Sequence, residues 1–515
     1  MASSPLRKSA IPISLLTLIV IVAVPLRLHN ITRQNLWLDE FWALYFSTGR
    51  GDSIFQLPCN VIIPHAPAVE FAGAPPVWHI WNGIASIAHP PLYLMTLRLW
   101  VDLLGSSDRS IRLMSALFSI GCVVLLYVAV LKSTGNRWQA LVASGLMAFS
   151  PIQIYYSQQA RPYTMLQFIA ILGGIALISI EKKRATSLHL LGLALAVLAL
   201  ALTHYIFAGL VAAWAIYLLV RLRGQTRYLT ASMIAIAVLV AAISWGPHLL
   251  AYRRTNPTNG YGELHDRNLA HLVLSVPQRL TLESNQDPLL LSDNGPWPIV
   301  VALAIISYAI PLLLLRRRPD LLFWWFWMAG AIAAIFLIDL FRHSTLLSIP
   351  RLVILAAPGV YALLAVALPG RLGKCIPWVI LFGAIACAAD YWVAGPPNCP
   401  DIQTIANSIS REVTPRDVLL ITGDYYRAES QEPPLTYFVL SHYAGPLNCP
   451  IVFATAPLSS STRVELTKYP RIWVVGIDPS GDTQKILPGW QVHDIQGPGD
   501  SNLLWYVTPP GTSHS

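Results

Sequence analysis

Twelve apolar runs, each near the length that carries a helix across a bilayer, succeed one another between residues 11 and 394. A spanning helix needs about 20 such residues, and within lipid only helices or closed barrels satisfy every backbone polar group. The runs fall at 11–28, 90–105, 111–131, 138–156, 163–180, 188–206, 207–222, 229–249, 297–315, 321–340, 351–368 and 376–394. They commit the chain to a mainly α membrane protein. With 55% hydrophobic and 12% charged residues, the sequence is too apolar for an ordinary soluble globule. Its formal charge of +9 does not mark a nucleic-acid binder, because the basic residues stand in small clusters between apolar runs.

Those clusters read as topology. Lys182, Lys183 and Arg184, then Arg221, Arg223 and Arg227, then Arg316 to Arg318, then Arg371 with Lys374, can all be cytoplasmic in one threading. That threading puts the loops 250–296 and 341–350 and the C-terminal part outside a bacterial plasma membrane. The first run follows Arg7 and Lys8 and lacks a small-residue cleavage site, so it is expected to stay as a helix. Three runs separate the first outer loop from residues 155–163, and both ends can face outside only if one of the three is not a crossing. The run 138–156 is the weakest, since Gln153, Tyr155 and Tyr156 make its end polar. About eleven true spans are therefore expected.

Two stretches are not membrane-like. Residues 29–88 are too long for a plain connector and mix Asp39 and Glu40 with Trp37, Trp42, Trp78 and Trp81, as suits a loop packed on a bilayer surface. This loop is assigned with the helices to one domain, 1–394. The remainder, 395–515, alternates helix-like segments (DIQTIANSISREV, PLTYFVLSHYA) with strand-like ones (DVLLITG, PIVFAT, RIWVVGI, NLLWYVT). Such alternation predicts a small α/β domain with a mainly parallel sheet. It has no GxGxxG or Walker loop, so no nucleotide is expected. The six cysteines show no CxxC or Cys/His spacing and imply no zinc site. Cys399 and Cys449 lie in similar contexts, PPNCPD and PLNCPI, and are either a disulfide in an oxidising compartment or two free thiols.

Four polar constellations interrupt the apolar pattern. Trp37-Leu38-Asp39-Glu40 follows the first run; adjacent carboxylates there can accept a hydroxyl proton and hold a sugar hydroxyl or a cation. His89-Pro90-Pro91-Leu92-Tyr93 opens the second run, a placement that also fits a plain helix start. Ser150 to Tyr163, reading SPIQIYYSQQARPY, sets Arg161 beside Tyr156 and Tyr163 at a membrane boundary, where an arginine either snorkels or grips an anion. DLFRHSTLLSIPR, residues 339–351, puts Arg342, His343 and Arg351 on the face that should be poor in arginine. Thr203-His204-Tyr205 is a weaker candidate of the same type.

WLDE, HPPLY, SPIQIYYSQQARPY and the late PRLVILAAPGVYALLA, in this order, resemble the GT-C superfamily of membrane glycosyltransferases, in the branch of protein O-mannosyltransferases and the lipid A aminoarabinose transferase. The resemblance covers roughly residues 11–370. It implies a GT-C bundle with a small C-terminal extracytoplasmic α/β domain, and inverting transfer of a sugar from a polyprenyl-phosphate donor to a hydroxyl of a lipid, glycan or protein. Carried over, Asp39 resembles the catalytic carboxylate and Glu40 its neighbour. His89 matches the motif near the donor, and Arg161 and Arg351 match positions that handle the carrier phosphate, with Tyr156, Tyr163 and Arg342 beside them. The family's late Arg-Tyr-Leu reads Arg351-Leu352-Val353 here, with Arg342 upstream, so which arginine meets the phosphate stays open. Asp39 and Glu40 are the pair that would hold a divalent ion, although two adjacent carboxylates are too few ligands to require one. The rival class is a transporter or flippase for an anionic or lipid-linked substrate, which calls for charges at the membrane midplane and paired broken helices.

Overall fold

The computed structural model describes residues 5–84, 89–182, 186–255, 268–282, 297–394, 402–422, 433–455, 457–476, 479–494 and 504–509. In chain order its helices are α1 (Pro5–Leu28), α2 (Leu38–Ser47), α3 (His79–Gly83), α4 (Leu92–Leu104), α5 (Asp108–Thr134), α6 (Arg137–Phe149), α7 (Pro151–Ser157), α8 (Tyr163–Glu181), α9 (Ser187–Ala201), α10 (Phe207–Arg221) and α11 (Gly224–Thr255). There follow α12 (Leu269–Leu282), α13 (Trp297–Ala304), α14 (Ile310–Leu314), α15 (Asp320–Arg342), α16 (Pro350–Val353), α17 (Ala357–Val366), α18 (Leu372–Ala394), α19 (Ile402–Glu412), α20 (Pro433–Ala444), α21 (Ser460–Leu466) and α22 (Pro479–Ile486). The chain forms two compact units. A helical unit holds Met1–Arg33, Ile87–Thr96 and Leu103–Pro397; a sheet unit holds Gln34–Ser86, Leu97–Asp102 and Asn398–Ser515. Residues 34–86, read from the sequence as an outer loop of the helical domain, are grouped with the C-terminal sheet.

Among the described residues of the helical unit, six helices are long and apolar enough to cross a membrane: Asp108–Thr134, Tyr163–Glu181, Gly224–Tyr252, Trp297–Leu314, Asp320–Arg342 and Leu372–Val393. Four shorter apolar helices accompany them, Pro12–Leu28, Ser187–Ala201, Phe207–Arg221 and Pro350–Val366. Length and composition thus stop short of the expected eleven, because several apolar runs are broken inside the bundle. The run 138–156 becomes α6 and α7, split at Ser150-Pro151, and α6 is buried from Ala140 to Phe149. Part of 250–296, expected as an outer loop, folds as α12.

The breaks follow from proline chemistry. A helical proline has no N–H to give the carbonyl four residues back, and a buried carbonyl left without a donor is costly. In three places a side chain from another helix supplies the donor. Pro151 leaves Met147 O, which accepts Arg27 Nη2 at 3.0 Å. Pro358 leaves Ile354 O, which accepts Gln167 Nε2 at 2.9 Å. Pro277 leaves Val273 O, which accepts Tyr308 Oη at 2.9 Å. Arg27, fully buried, also donates to Ala148 O (3.0 Å) and, through Nε, to Ser119 Oγ (2.9 Å). It is a structural arginine.

Where helices run unbroken, small residues let them approach. A Cβ added to Gly209 of α10 would lie 2.2 Å from Gly330 O of α15, and one on Gly330 would lie 2.3 Å from the Ala213 Cβ. With lipid as solvent there is little hydrophobic drive between helices, so such close backbone contact carries much of the association.

The sheet unit is built on five strands, β1 (Val418–Thr422), β2 (Ile451–Ala454), β3 (Ile472–Val475), β4 (Gln491–Asp494) and β5 (Leu504–Thr508), in the order β2-β1-β3-β5-β4. β1 runs parallel to both β2 and β3, while β5 is antiparallel to β3 and β4. The sheet is therefore mixed, where the sequence predicts a mainly parallel one. The first three strands are joined by helices and are continuous apolar runs, as strands covered on both faces must be. β4 is a short polar segment that alternation does not reveal. The edge of β2 is covered by residues 60–63: Ile63 and Ile451 exchange amide bonds of 2.8 and 3.0 Å, and Asn60 donates its N–H to Phe453 O at 2.7 Å. An exposed edge strand invites pairing with other chains, and this segment blocks it. Cys449 is a buried free thiol; Cys399, its proposed partner, lies outside the described residues.

Candidate active site

Interruptions of the helical unit bring its polar motifs together. Pro90 and Pro91 stand ahead of α4, where a missing N–H costs nothing. Leu92, the first free amide, donates to Leu202 O beyond α9 at 2.9 Å. That bond helps set His89 beside His204, with ring centroids 5.6 Å apart. His204 occupies the non-helical turn between α9 and α10, where its Nδ1 accepts the Ile206 amide at 3.3 Å and leaves the proton to Nε2. Tyr163 opens α8 with its ring 5.8 Å from His204. Arg161, buried in the turn before α8, lies with Cζ 5.8 Å from the Tyr163 ring. Tyr156 of α7 meets Tyr163 edge-on at 5.3 Å.

Other members of SPIQIYYSQQARPY are ties. Ser150 Oγ donates to Leu280 O at 2.6 Å. Gln158 Nε2 donates to His29 O at 2.9 Å, while its Oε1 accepts Tyr391 Oη at 3.0 Å. These bonds hold α7, and with it Tyr156, against α1, α12 and α18.

The late motif is organised by Asp339. This buried carboxylate on α15 accepts Ser344 Oγ and the Leu346 amide on Oδ1, both at 2.7 Å, and the Leu347 amide on Oδ2 at 2.8 Å. The turn so formed leads into α16, which carries Arg351. Leu347 O in turn accepts Nη1 of Arg279, a buried arginine of α12, at 2.9 Å. Arg351 and Arg161 are both near enough to act on His89. Burial foremost, then these two cations, push His89 down to about 3, so its ring is neutral at physiological pH. Arg342 is exposed in the last turn of α15.

In the sheet unit, Asp39 and Glu40 lie in the first turn of α2. Asp39 is half-buried. Glu40 is fully buried and its Oε2 accepts the amide of Trp37, the N-cap residue, at 3.3 Å. Glu40 thus works as a capping side chain. Among the described residues no group of three His, Cys, Asp or Glu side chains is arranged to hold a metal ion, so no step is assigned to a metal at this pair.

Of the residues predicted from sequence, His89, Tyr156, Arg161, Tyr163 and Arg351 gather around His204 in the helical unit, and Asp39 and Glu40 belong to the other. Sequence reading misses Arg27, Arg279 and the role of Asp339. Arg279 is hidden by taking 250–296 for a loop, although Leu269, Leu272, Val276 and Leu280 repeat at helical spacing.

Residues 88–250 match the profile of a family described as dolichyl-phosphate-mannose-protein mannosyltransferase. The apo structure of ArnT from Cupriavidus metallidurans is similar over 98% of this chain and 98% of its own, with 12% identity and a TM-score of 0.55. The fold is that of ArnT. The structure of the same ArnT bound to undecaprenyl phosphate is similar over the same shares, with 11% identity and a TM-score of 0.51. No curated protein sequence matches the chain significantly. The GT-C bundle with a small α/β unit, expected from the motifs, is this ArnT fold. The profile match spans His89, Tyr156, Arg161, Tyr163 and His204, and includes neither Asp39 nor Arg351.

Proposed function

We propose that the chain is an inverting membrane glycosyltransferase that takes a hexosyl- or pentosyl-type sugar from a polyprenyl-phosphate donor and delivers it to a hydroxyl of a lipid, glycan or protein on the outer face of a bacterial plasma membrane. The observation that carries this reading is the gathering of Arg161 and Arg351 on a neutral histidine beside Tyr163 and Tyr156. Guanidiniums and phenolic hydroxyls are suited to a phosphate by charge-assisted hydrogen bonds. ArnT, which shares the fold, has been solved with undecaprenyl phosphate. The cluster stands at helix starts and turns, which suits an interfacial enzyme better than a transport path through the midplane.

In the reaction, Asp39 accepts the proton of the acceptor hydroxyl as its oxygen bonds to the anomeric carbon. The bond from that carbon to the phosphate oxygen breaks, and the phosphate leaves with the electron pair. A phosphate needs little protonation to leave, so the tasks are to deprotonate the nucleophile and to stabilise the departing charge. Arg161 and Arg351 take the second task. The role of Asp39 rests on its match to the family position.

The test is transfer in proteoliposomes, with release of free polyprenyl phosphate from the labelled donor. Wild-type protein that binds polyprenyl phosphate and turns over none of a panel of polyprenyl-phosphate sugars, but carries them across the bilayer, would replace the transferase reading with the flippase one.

A further inference from the structure

The helix that presents Asp39 is anchored by the far end of the sequence. Ahead of α2 the backbone is extended at the N-cap, Trp37, and one residue earlier Leu36 donates its amide to Tyr443 Oη at 2.8 Å. Tyr443 lies on α20, 407 residues downstream in the same unit. The contact continues along α2: Phe41, fully buried, meets Phe438, His442 and Tyr443 edge-on at 6.0, 5.8 and 6.0 Å, and Tyr45 meets Phe438 at 5.1 Å. These rings fix where α2 lies. They do not fix how the chain enters its first turn, where the backbone amides have no helical partner and fray most easily. The Tyr443 hydroxyl does that, by holding the amide next to the N-cap.

We infer that Tyr443 is a positioning residue for Asp39, the carboxylate in that first turn, a role that rests on the reading of Asp39 as the general base. Tyr443 touches no reacting atom; it sets the direction of the turn that bears the base. Small misplacements of a reacting group cost far more in rate than in binding. Tyr443→Phe keeps the ring and its packing and removes the acceptor.

The experiment measures kcat and donor KM in proteoliposomes for wild type, Tyr443→Phe, Asp39→Asn and the double variant, with thermal unfolding alongside. Tyr437→Phe serves as control: it removes a hydroxyl from the same helix that donates to Pro67 O at 2.6 Å, away from α2. Tyr443→Phe is expected to lower kcat about 3- to 10-fold, the scale of one hydrogen bond, with donor KM and melting temperature unchanged and the control near wild type. On the Asp39→Asn background the same change should do nothing further, because there is no base left to position. A wild-type kcat for Tyr443→Phe, or an equal loss with and without Asp39, overturns the inference. Full activity of Asp39→Asn removes instead the reading beneath it. If Tyr443→Phe fails to fold, 3,5-difluorotyrosine at 443, a weaker acceptor of the same shape, gives the same comparison.

Discussion

A carboxylate and an arginine lost from this chain should leave different kinetic traces. Asp39→Asn keeps shape and removes basicity, so turnover should fall about 100-fold or more with little change in donor binding. Arg161→Ala should weaken donor binding and slow transfer together, since its partner phosphate is charged in both ground and transition states. Steady-state kinetics with a labelled donor separate the two. His89 allows a test that needs no substrate. Held near 3 when folded and at about 6.5 when unfolded, it takes up a proton first in the unfolded chain, so stability falls as pH drops from about 6.5 toward 3. His89→Asn should flatten that slope in thermal unfolding between pH 5 and 7; an unchanged slope would place the titration elsewhere. Residues of this kind were legible in the sequence because polar side chains at the edges of apolar runs are expensive without a task. Glu40 was legible as a carboxylate but not as a cap, since capping depends on the backbone of Trp37.

Proline breaks in buried helices were half legible. Pro151, Pro277 and Pro358 are plain in the sequence, and each forfeits a known hydrogen bond. The donors that replace those bonds come from elsewhere in the chain: Arg27 is 120 residues from Met147 and Gln167 is 187 from Ile354, and no local pattern announces them. Gln167→Leu should therefore cost about 1–3 kcal/mol by orphaning the Ile354 carbonyl, read as a lower unfolding midpoint in detergent. Gly330→Val should do comparable harm differently, by forcing α10 from α15 where no Cβ fits. Helix packing of that closeness is a matter of which faces meet, and composition alone is silent on it. For the sheet, the apolar strands β1, β2, β3 and β5 were visible as runs. The antiparallel placement of β5 and the existence of β4 were not, because pairing direction is decided by connections, and β4 is four mostly polar residues.

At the scale of the molecule, α8 relates the two faces of the helical unit. It runs 19 residues from Tyr163 to Glu181, about 28 Å at 1.5 Å per residue, close to the thickness of the hydrocarbon core. Its first turn belongs to the arginine and histidine cluster. At its other end Glu181 accepts Arg221 Nε at 2.8 Å and Tyr217 Oη at 2.5 Å, and Lys182 Nζ donates to Ser133 O at 3.0 Å. The charge bias makes that end cytoplasmic. In a background cleared of native cysteines, an impermeant maleimide should therefore react in intact cells with Gln56→Cys and Ser461→Cys, and with Gln225→Cys only after permeabilisation. The reverse pattern would invert the topology.

The bonding of residues 60–63 to β2 has a consequence in time. Asn60 and Thr455 pair across 395 residues, so the segment bearing Asp39 leaves the ribosome long before the strand that completes it. At about 5–20 residues per second, synthesis alone imposes a wait of roughly 20–80 s. Throughout that interval the segment has crossed the membrane without its partner, its apolar face uncovered. Any chaperone or protease of that compartment meets it then, and a nascent chain that stalls late is lost there first.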